Sequence, residues 1–573
     1  MEVMDMKEVI SEFITNYLNG FTKEEISCLI EVPPNPEMGD FSLPCFAMAK
    51  KLRKAPVKIA EDLKVKFEED KEVNIIREIQ VVNGYLNFFI NRELYIEKVI
   101  QTAMQVNYGA SNEGNGKVIC MDYSSPNIAK NFHVGHLRTT IIGNSLYHLY
   151  SKLGYQVVQI NHLGDWGTQF GKLIVAYKKW SSKEQVKENG IDELLRIYVM
   201  FGAEAGKNPI LKEEAREWFA KMEKGDEEAL SIWKWFKDIS MIEFERIYKL
   251  LNVEFDSYNG ESFYMDKVPV LVEELKEKGL LVESQGANII DLEEYGMSPC
   301  LITKKDGSSI YQSRDIAAVL YRKNKYHFDK CVYVTGVEQK LHFAQVFKAI
   351  ELMGYDYYNN LVHIPYGLVS LEGAKLSTRS GNIIYAEDIL KEAIERAASL
   401  IEQKNASLYE KESVARKVGI GAVIFHDLYN QRIKDVNFSW DDILNFEGST
   451  GPYAQYTYAR AKSILRKVGK LQGEISNYKV DCKLLLEEAS YALIKVIALY
   501  PKKIYKAAER YEPSIITRYI INLATTFNRF YHECNIINVE KELQMARLVL
   551  VDIAQKVIKD AMGLLGIECP EEM

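Results

Sequence analysis

The chain has 573 residues, too many for one domain, and roughly three to four folded units are expected. Apolar residues make up 47% and charged residues 27%, an ordinary globular composition, and no run approaches the ~18–20 uninterrupted apolar residues of a membrane span. The net charge of −8 speaks against a nucleic-acid partner for the chain as a whole, while eight scattered cysteines with no CxxC pair exclude a zinc ribbon and a disulfide framework.

In chain order, residues 1–112 open with helical apolar spacing (Ile10, Phe13, Ile14, Tyr17, Leu18). A proline-rich loop beginning PPNPEMGD leads into an amphipathic helix, and two strand-like runs follow, Val73 to Val82 and Gly84 to Ile90. MEVMDMKEVI has no apolar core of signal-peptide type, and a reducing cytoplasm is the expected location. Tyr108 to Gly116 is rich in turn formers and reads as a linker. From 113 to 412 strands alternate with helices, the mark of a parallel sheet: strands at 117–123, 156–161, 331–335 and 361–369, helices at 137–152, 341–353 and 386–403. A charge-dense helical stretch at about 172–255 interrupts the alternation as an insertion. Residues 413–573 show only helical spacing (414–428, 451–468, 482–500, 513–533, 540–564), which predicts an all-α domain. Their charge is slightly positive on a chain that is acidic overall, which permits RNA there.

Five strings carry chemistry. In DYSSPNIAKNFHVGHLRT, His133 and His136 flank Gly135 where a strand hands over to a helix, a place that binds phosphates in open α/β sheets. Two histidines three apart also suit a metal, although no Glu lies between them and no HExxH pattern is present. NHLGDWGTQFG (161–171) is a glycine-flanked turn whose His162 serves equally well as a satisfied structural histidine. SSIYQSRDIAAVLY (308–321) reads as a helix with Ser308 as N-cap; Tyr311 and Asp315 share a face and supply the aromatic and the carboxylate that a guanidinium wants, or form a surface pair. EGAKLSTRSG (372–381) presents Lys375 and Arg379 on a glycine-flanked loop, which suits a lid over phosphates or a solvated turn. GSTGPYAQYTYAR (448–460) places Tyr453, Tyr456 and Arg460 on one helical stripe, suited to stacking on unpaired bases or to a core.

Together, in this order along the whole length, these strings resemble the arginyl-tRNA synthetases, members of the class I aminoacyl-tRNA synthetases. The resemblance implies a Rossmann-type catalytic domain with a helical insertion, an N-terminal α+β domain that binds the tRNA elbow, and a C-terminal all-α anticodon-binding bundle. It assigns His133, Gly135, His136, Lys375 and Ser377 to ATP. Thr378 stands where the second lysine of the usual lysine loop would be, and Lys130, just before the histidines, is the expected compensation. Arginine would be held by Asp122, Asn127, His162, Glu261, Tyr311, Asp315 and Gln339. The tRNA would meet Tyr85 and Asn87 at its elbow and Tyr453, Tyr456, Arg460 and the terminal Met573 at its anticodon.

The reaction so implied is ATP-dependent ligation of L-arginine to tRNA(Arg) through arginyl-adenylate, with Mg²⁺ accompanying ATP and no dedicated metal site in the protein. A monomer, no membrane and activation that requires tRNA complete the expectation. The rivals are another class I synthetase and a non-catalytic RNA-binding paralogue. A cysteinyl enzyme would show zinc-spaced ligands, an acidic substrate would not want Asp315 and Glu261, and a paralogue should have lost the histidine or lysine motif.

Overall fold

The computed structural model describes residues 6–69, 75–305, 307–371, 374–375, 385–469, 474–475 and 478–573. At its centre lie four parallel strands in the spatial order Leu361–Tyr366, Lys330–Gly336, Val118–Asp122, Gln156–Ile160. Ile119, Cys120, Met121 and Val332 are fully buried, as expected for a sheet covered on both faces. The strand first in sequence therefore sits inside the sheet, with the second on one side and the third on the other. The chain reverses direction across the sheet there, so a crevice opens beyond the carboxyl ends of Val118–Asp122 and Lys330–Gly336.

The expected insertion is present as four helices, Thr168–Trp180, Lys183–Lys207, Ile210–Glu223 and Glu227–Leu251. Between it and the third strand lies a feature the alternation did not predict. Val282–Ser284, Ala287–Ile290 and Cys300–Thr303 pair as a small antiparallel sheet, in strands too short for a period of two to show. Ser308 is not the N-cap of the next helix. Thr303 bridges Ser309 and keeps the chain extended, so the helix Tyr311–Tyr326 starts later, with Ile310 at its cap and Ser313 Oγ accepting the Ile310 N–H at 3.2 Å.

The N-terminal hairpin joins Ile76–Val82 to Tyr85–Ile90 through Asn83 and Gly84, both at positive φ as a tight hairpin turn requires. Phe41–Pro44, inside the stretch read as a loop, adds a third strand. In the C-terminal region the helices Lys411–Tyr429, Gly451–Val468, Glu488–Ala498, Tyr500–Glu509, Ser514–Glu533 and Lys541–Gly563 dominate. The run 482–500 ends in two helices because Pro501 opens the second at its first turn. One expectation is overturned there: Val436–Phe438 is a strand, parallel to Val369–Leu371.

That strand is held by the most deeply buried cation of the central helix Val134–Lys152. Arg138, 1% exposed, donates through Nη1 to the carbonyls of Gly367 (2.9 Å) and Leu368 (3.0 Å), and through Nη2 to those of Arg432 (3.1 Å) and Lys434 (2.9 Å). Its Nε lies 3.4 Å from the buried Asp427 carboxylate. Four carbonyl acceptors and one counter-charge converge on one guanidinium, which offsets the cost of burying its charge.

Candidate active site

The crevice is a cleft of about 850 Å³ lined by Asp122, Asn127, His136, His162, Glu261, Tyr311, Asp315 and Gln339 among others. One end of it is bounded by the turn that runs from Asp122 towards His136. Ser124, Ser125 and Ala129 all have positive φ, a strained path for non-glycine residues that must be held from outside. The helical insertion does this: Ser240 Oγ accepts the Ala129 N–H at 2.8 Å, and Tyr248 Oη lies 2.7 Å from Ser124 Oγ.

The histidine turn differs in one respect from its expected chemistry. Its backbone donors are already taken: Gly135 N–H goes to His133 Nδ1 (3.1 Å), while the N–H groups of His136 and Leu137 go to the His133 carbonyl. His133 N–H points to His136 Nδ1 at 3.4 Å, so both Nδ1 atoms accept and each proton sits on Nε2. The two rings stack at 3.7 Å. A Cβ at Gly135 would come within 3.0 Å of the His133 ring, so the glycine makes room for the imidazole itself. Burial, helped by the Lys130 charge, pushes His133 down to about 4; burial, with His133 and Lys130 beside it, puts His136 well below its usual value. Both rings are thus neutral N–H donors near pH 7, and the local positive charge comes from the exposed Lys130.

The opposite end is built from charged pairs. Asp315 is partly buried; His342 Nε2 lies 2.6 Å from its Oδ2 and His162 Nε2 3.5 Å from its Oδ1. Burial alone would raise this carboxyl, but the His342 bond and the charges of His342, His162 and Arg322 outweigh it and hold it low. Asp122 is met by Arg322 Nη2 at 2.7 Å and by Ser125 Oγ at 2.9 Å. Glu261 pairs with Arg314 Nη2 at 2.7 Å, so it already has a guanidinium from its own chain; burial, the larger influence, raises its carboxyl against that pairing. Tyr311 is half-exposed at the rim, its ring 5.0 Å from that of His342. Asn127 sits against Gly164, where a Cβ would fall 2.2 Å from Asn127 Oδ1. Asp165 of the same turn is a buried anchor, accepting from Lys237 Nζ (2.6 Å) and from Ser262 N–H (2.8 Å) and Oγ (2.7 Å), which seats Glu261. Gln339 closes the wall in the short turn Val337–Gln339.

Arg314, Arg322 and His342 escaped sequence reading. Arg314 lies in the expected helix and Arg322 just past its expected end, within the observed Tyr311–Tyr326, but only the fold shows that they point inward. His342 lies in VTGVEQKLHFAQ, next to Gln339, with nothing local to mark it.

Ser377 lies outside the described residues. The backbone of Lys375 is described, in the strand Ala374–Lys375 paired with Val369–Leu371. The chain returns at Tyr385, which bridges His133.

Among the residues expected to meet RNA, Arg460 lies between the rings of Tyr456 (5.0 Å) and Tyr531 (5.4 Å), both partly exposed. Asn528 accepts from Arg460 and donates to Tyr453 Oη at 3.0 Å, fixing the platform from behind. Tyr531, on a distant helix, was not anticipated. Met573 packs against the core and its carbonyl accepts from Asn405 Nδ2 at 3.4 Å. Tyr85 is partly exposed and meets Phe46 edge-on at 5.4 Å. Asn87, expected on the surface, is buried at 2% exposure and accepts from Ser42 Oγ at 2.6 Å; its strand is the middle one of three, and Ser42 and Gln80 lie opposite it on the neighbouring strands. Among the described residues no three His, Cys, Asp or Glu side chains cluster as a metal site, and no helix is long and apolar enough to cross a membrane.

Comparison with known proteins agrees along the whole chain. Residues 4–90 match the arginyl tRNA synthetase N-terminal domain, residues 98–440 the class I (R) tRNA synthetase catalytic domain, and residues 454–573 the DALR anticodon binding domain. The arginine–tRNA ligase of Alkaliphilus metalliredigens is 52% identical over 99% of this chain and 100% of its own length, and that of Clostridioides difficile 48% identical over 100% of both. The Plasmodium falciparum arginyl-tRNA synthetase structure superposes with a TM-score of 0.81 at 25% identity, covering 100% of both chains. The Thermus thermophilus enzyme shares the fold at 0.83 and 24% identity, over 99% of this chain and 100% of that one. The chain belongs to the arginyl-tRNA synthetase family of class I aminoacyl-tRNA synthetases.

Proposed function

We propose that the chain ligates L-arginine to tRNA(Arg) at the expense of ATP. In the first step an oxygen of the arginine carboxylate attacks the α-phosphorus and pyrophosphate leaves, giving arginyl-adenylate. A hydroxyl of the terminal tRNA ribose then attacks the arginyl carbonyl, and AMP leaves. No side chain acts as nucleophile. His133 and His136 offer neutral Nε2–H donors to the phosphates, and Lys130 with Lys375 balances charge on the leaving pyrophosphate, so catalysis is positioning plus electrostatic stabilisation. Gly135 and Ser377 complete the ATP side.

The observation that carries this reading is one cleft with two unlike ends, uncharged donors at the strand-to-helix turn and a partly buried, low-pKa Asp315 opposite. Asp315 and Tyr311 take the guanidinium, Asp122 and Asn127 the α-amino and carboxylate end, with His162, Glu261 and Gln339 shaping the walls. Mg²⁺ enters with ATP, held by phosphates, and no protein donor set is assigned to it. Tyr453, Tyr456 and Arg460 receive anticodon bases, with Met573 closing the chain beside that domain, while Tyr85 and the neighbourhood of Asn87 face the tRNA elbow. The protein works as a monomer in the cytoplasm, and its adenylate step requires tRNA. Charging of total tRNA with each of the twenty amino acids in turn tests the reading: arginine alone should be incorporated, and ATP–pyrophosphate exchange should need tRNA. Incorporation of another amino acid, or none, would overturn it.

A further inference from the structure

Asp122 and Asp315, assigned above to opposite ends of the substrate, come from segments nearly two hundred residues apart. They are joined by a continuous path of ion pairs and one hydrogen bond, through His162 on the cleft wall and Arg322 behind it. A carboxylate only accepts, so His342 Nε2, at 2.6 Å from Asp315 Oδ2, carries a proton. A guanidinium only donates, so His162 Nδ1 accepts from Arg322 Nη2 at 3.1 Å and the His162 proton sits on Nε2, facing Asp315 Oδ1. The same Arg322 nitrogen lies 2.7 Å from Asp122 Oδ2, and Ser125 Oγ closes the far end on Oδ1. Arg322 is 1% exposed and lies over the Tyr333 ring at 5.4 Å; His342 is buried between the Tyr311 and Phe343 rings, each 5.0 Å away.

We propose that His342 and Arg322 are positioning residues for the amino acid: with His162 they form one brace that fixes the orientation and separation of Asp315 and Asp122, and so the length of cation the pocket accepts. This rests on the reading that these two carboxylates grip arginine. One Asp315 oxygen receives the His342 N–H and the other faces the His162 Nε2 at 3.5 Å, which sets the plane of the carboxylate and leaves its remaining lone pairs for a forked guanidinium. Glu261 plays no part in the brace, being paired to Arg314.

The test uses two amide substitutions of different reach. The terminal nitrogen of His342→Gln can occupy the place of Nε2 and donate to Asp315, whereas that of His342→Asn stops near Nδ1. His342→Asn should raise the arginine KM about tenfold with the ATP KM unchanged, and His342→Gln should stay within about threefold of the parent, as expected for loss and retention of one hydrogen bond to a buried charge. Arg322→Lys keeps the charge but loses the fork, and should narrow the preference for arginine over homoarginine, which is one methylene longer. Equal arginine KM values for the Gln and Asn variants, or a matching rise in the ATP KM, would overturn the brace. Asp315→Asn serves as control: if it too leaves the arginine KM unchanged, the pocket assignment has failed rather than the brace.

Discussion

The two ends of the cleft, proposed above to take the ATP phosphates and the arginine, are built in opposite ways. The phosphate end is local and mostly neutral: His133, Gly135 and His136 organise one another within a single turn, and burial removes the charge from both imidazoles. The amino-acid end is long-range and densely charged, with Asp122, Glu261 and Asp315 each answered by a residue brought from elsewhere in the fold or chain. A triphosphate brings its own charge and metal, so it needs aimed donors. A guanidinium must be told from other cations, and that takes a carboxylate held in a fixed plane.

The comparison can be broken most sharply at Asp315. Asp315→Asn should lower kcat/KM for arginine about a thousandfold, the ~4 kcal/mol of a lost buried charge partner, while ATP binding persists. Steady-state charging with arginine varied at saturating ATP reads this directly. His136→Ala should cost roughly a hundredfold in single-turnover adenylate formation and leave the arginine KM nearly unmoved. If the arginine KM moved as much as the rate, the two ends would not be separable.

This contrast also explains what could be read in advance. The histidine turn was legible because its partners lie within three residues, and the i, i+4 spacing of Tyr311 and Asp315 was legible for the same reason. Arg322, His342 and Tyr531 were not, because each acquires its role only when distant elements pack. Asn87 failed the other way: alternation places it on the face of the exposed Tyr85, and only the cross-strand Ser42 shows that it is covered. The parallel sheet followed from alternation over hundreds of residues, whereas three-residue strands such as Val436–Phe438 are too short to carry a period.

Smaller effects sharpen the picture. Tyr456→Ala should raise the tRNA KM about tenfold, one stacked base, without changing the affinity for arginine. Glu261→Gln should change the arginine KM by no more than about threefold, because its partner is Arg314, and a larger rise would return Glu261 to the guanidinium. The gentlest test is pH. His133 titrates near 4 in the folded protein against 6.5 in the unfolded chain, so the unfolded chain takes up the proton first as pH falls. Its contribution to stability is intact above about 6.5 and fades towards about 4, and His133→Asn should flatten that part of a denaturation-midpoint profile.

Arg138 bears on where this protein can be cut. The change from alternating to all-helical pattern near residue 412 invites a division into separately expressed pieces. Yet two of the four carbonyls on Arg138, those of Arg432 and Lys434, and the Asp427 carboxylate all lie beyond that point, as does the strand that covers Val369–Leu371. A fragment ending at 412 would keep a buried guanidinium with half its carbonyl acceptors and none of its counter-charge, beside a bare strand edge next to the active site. The seam in the sequence is not the seam in the molecule: residues 427–438 belong with the catalytic unit, whose family match runs on to residue 440.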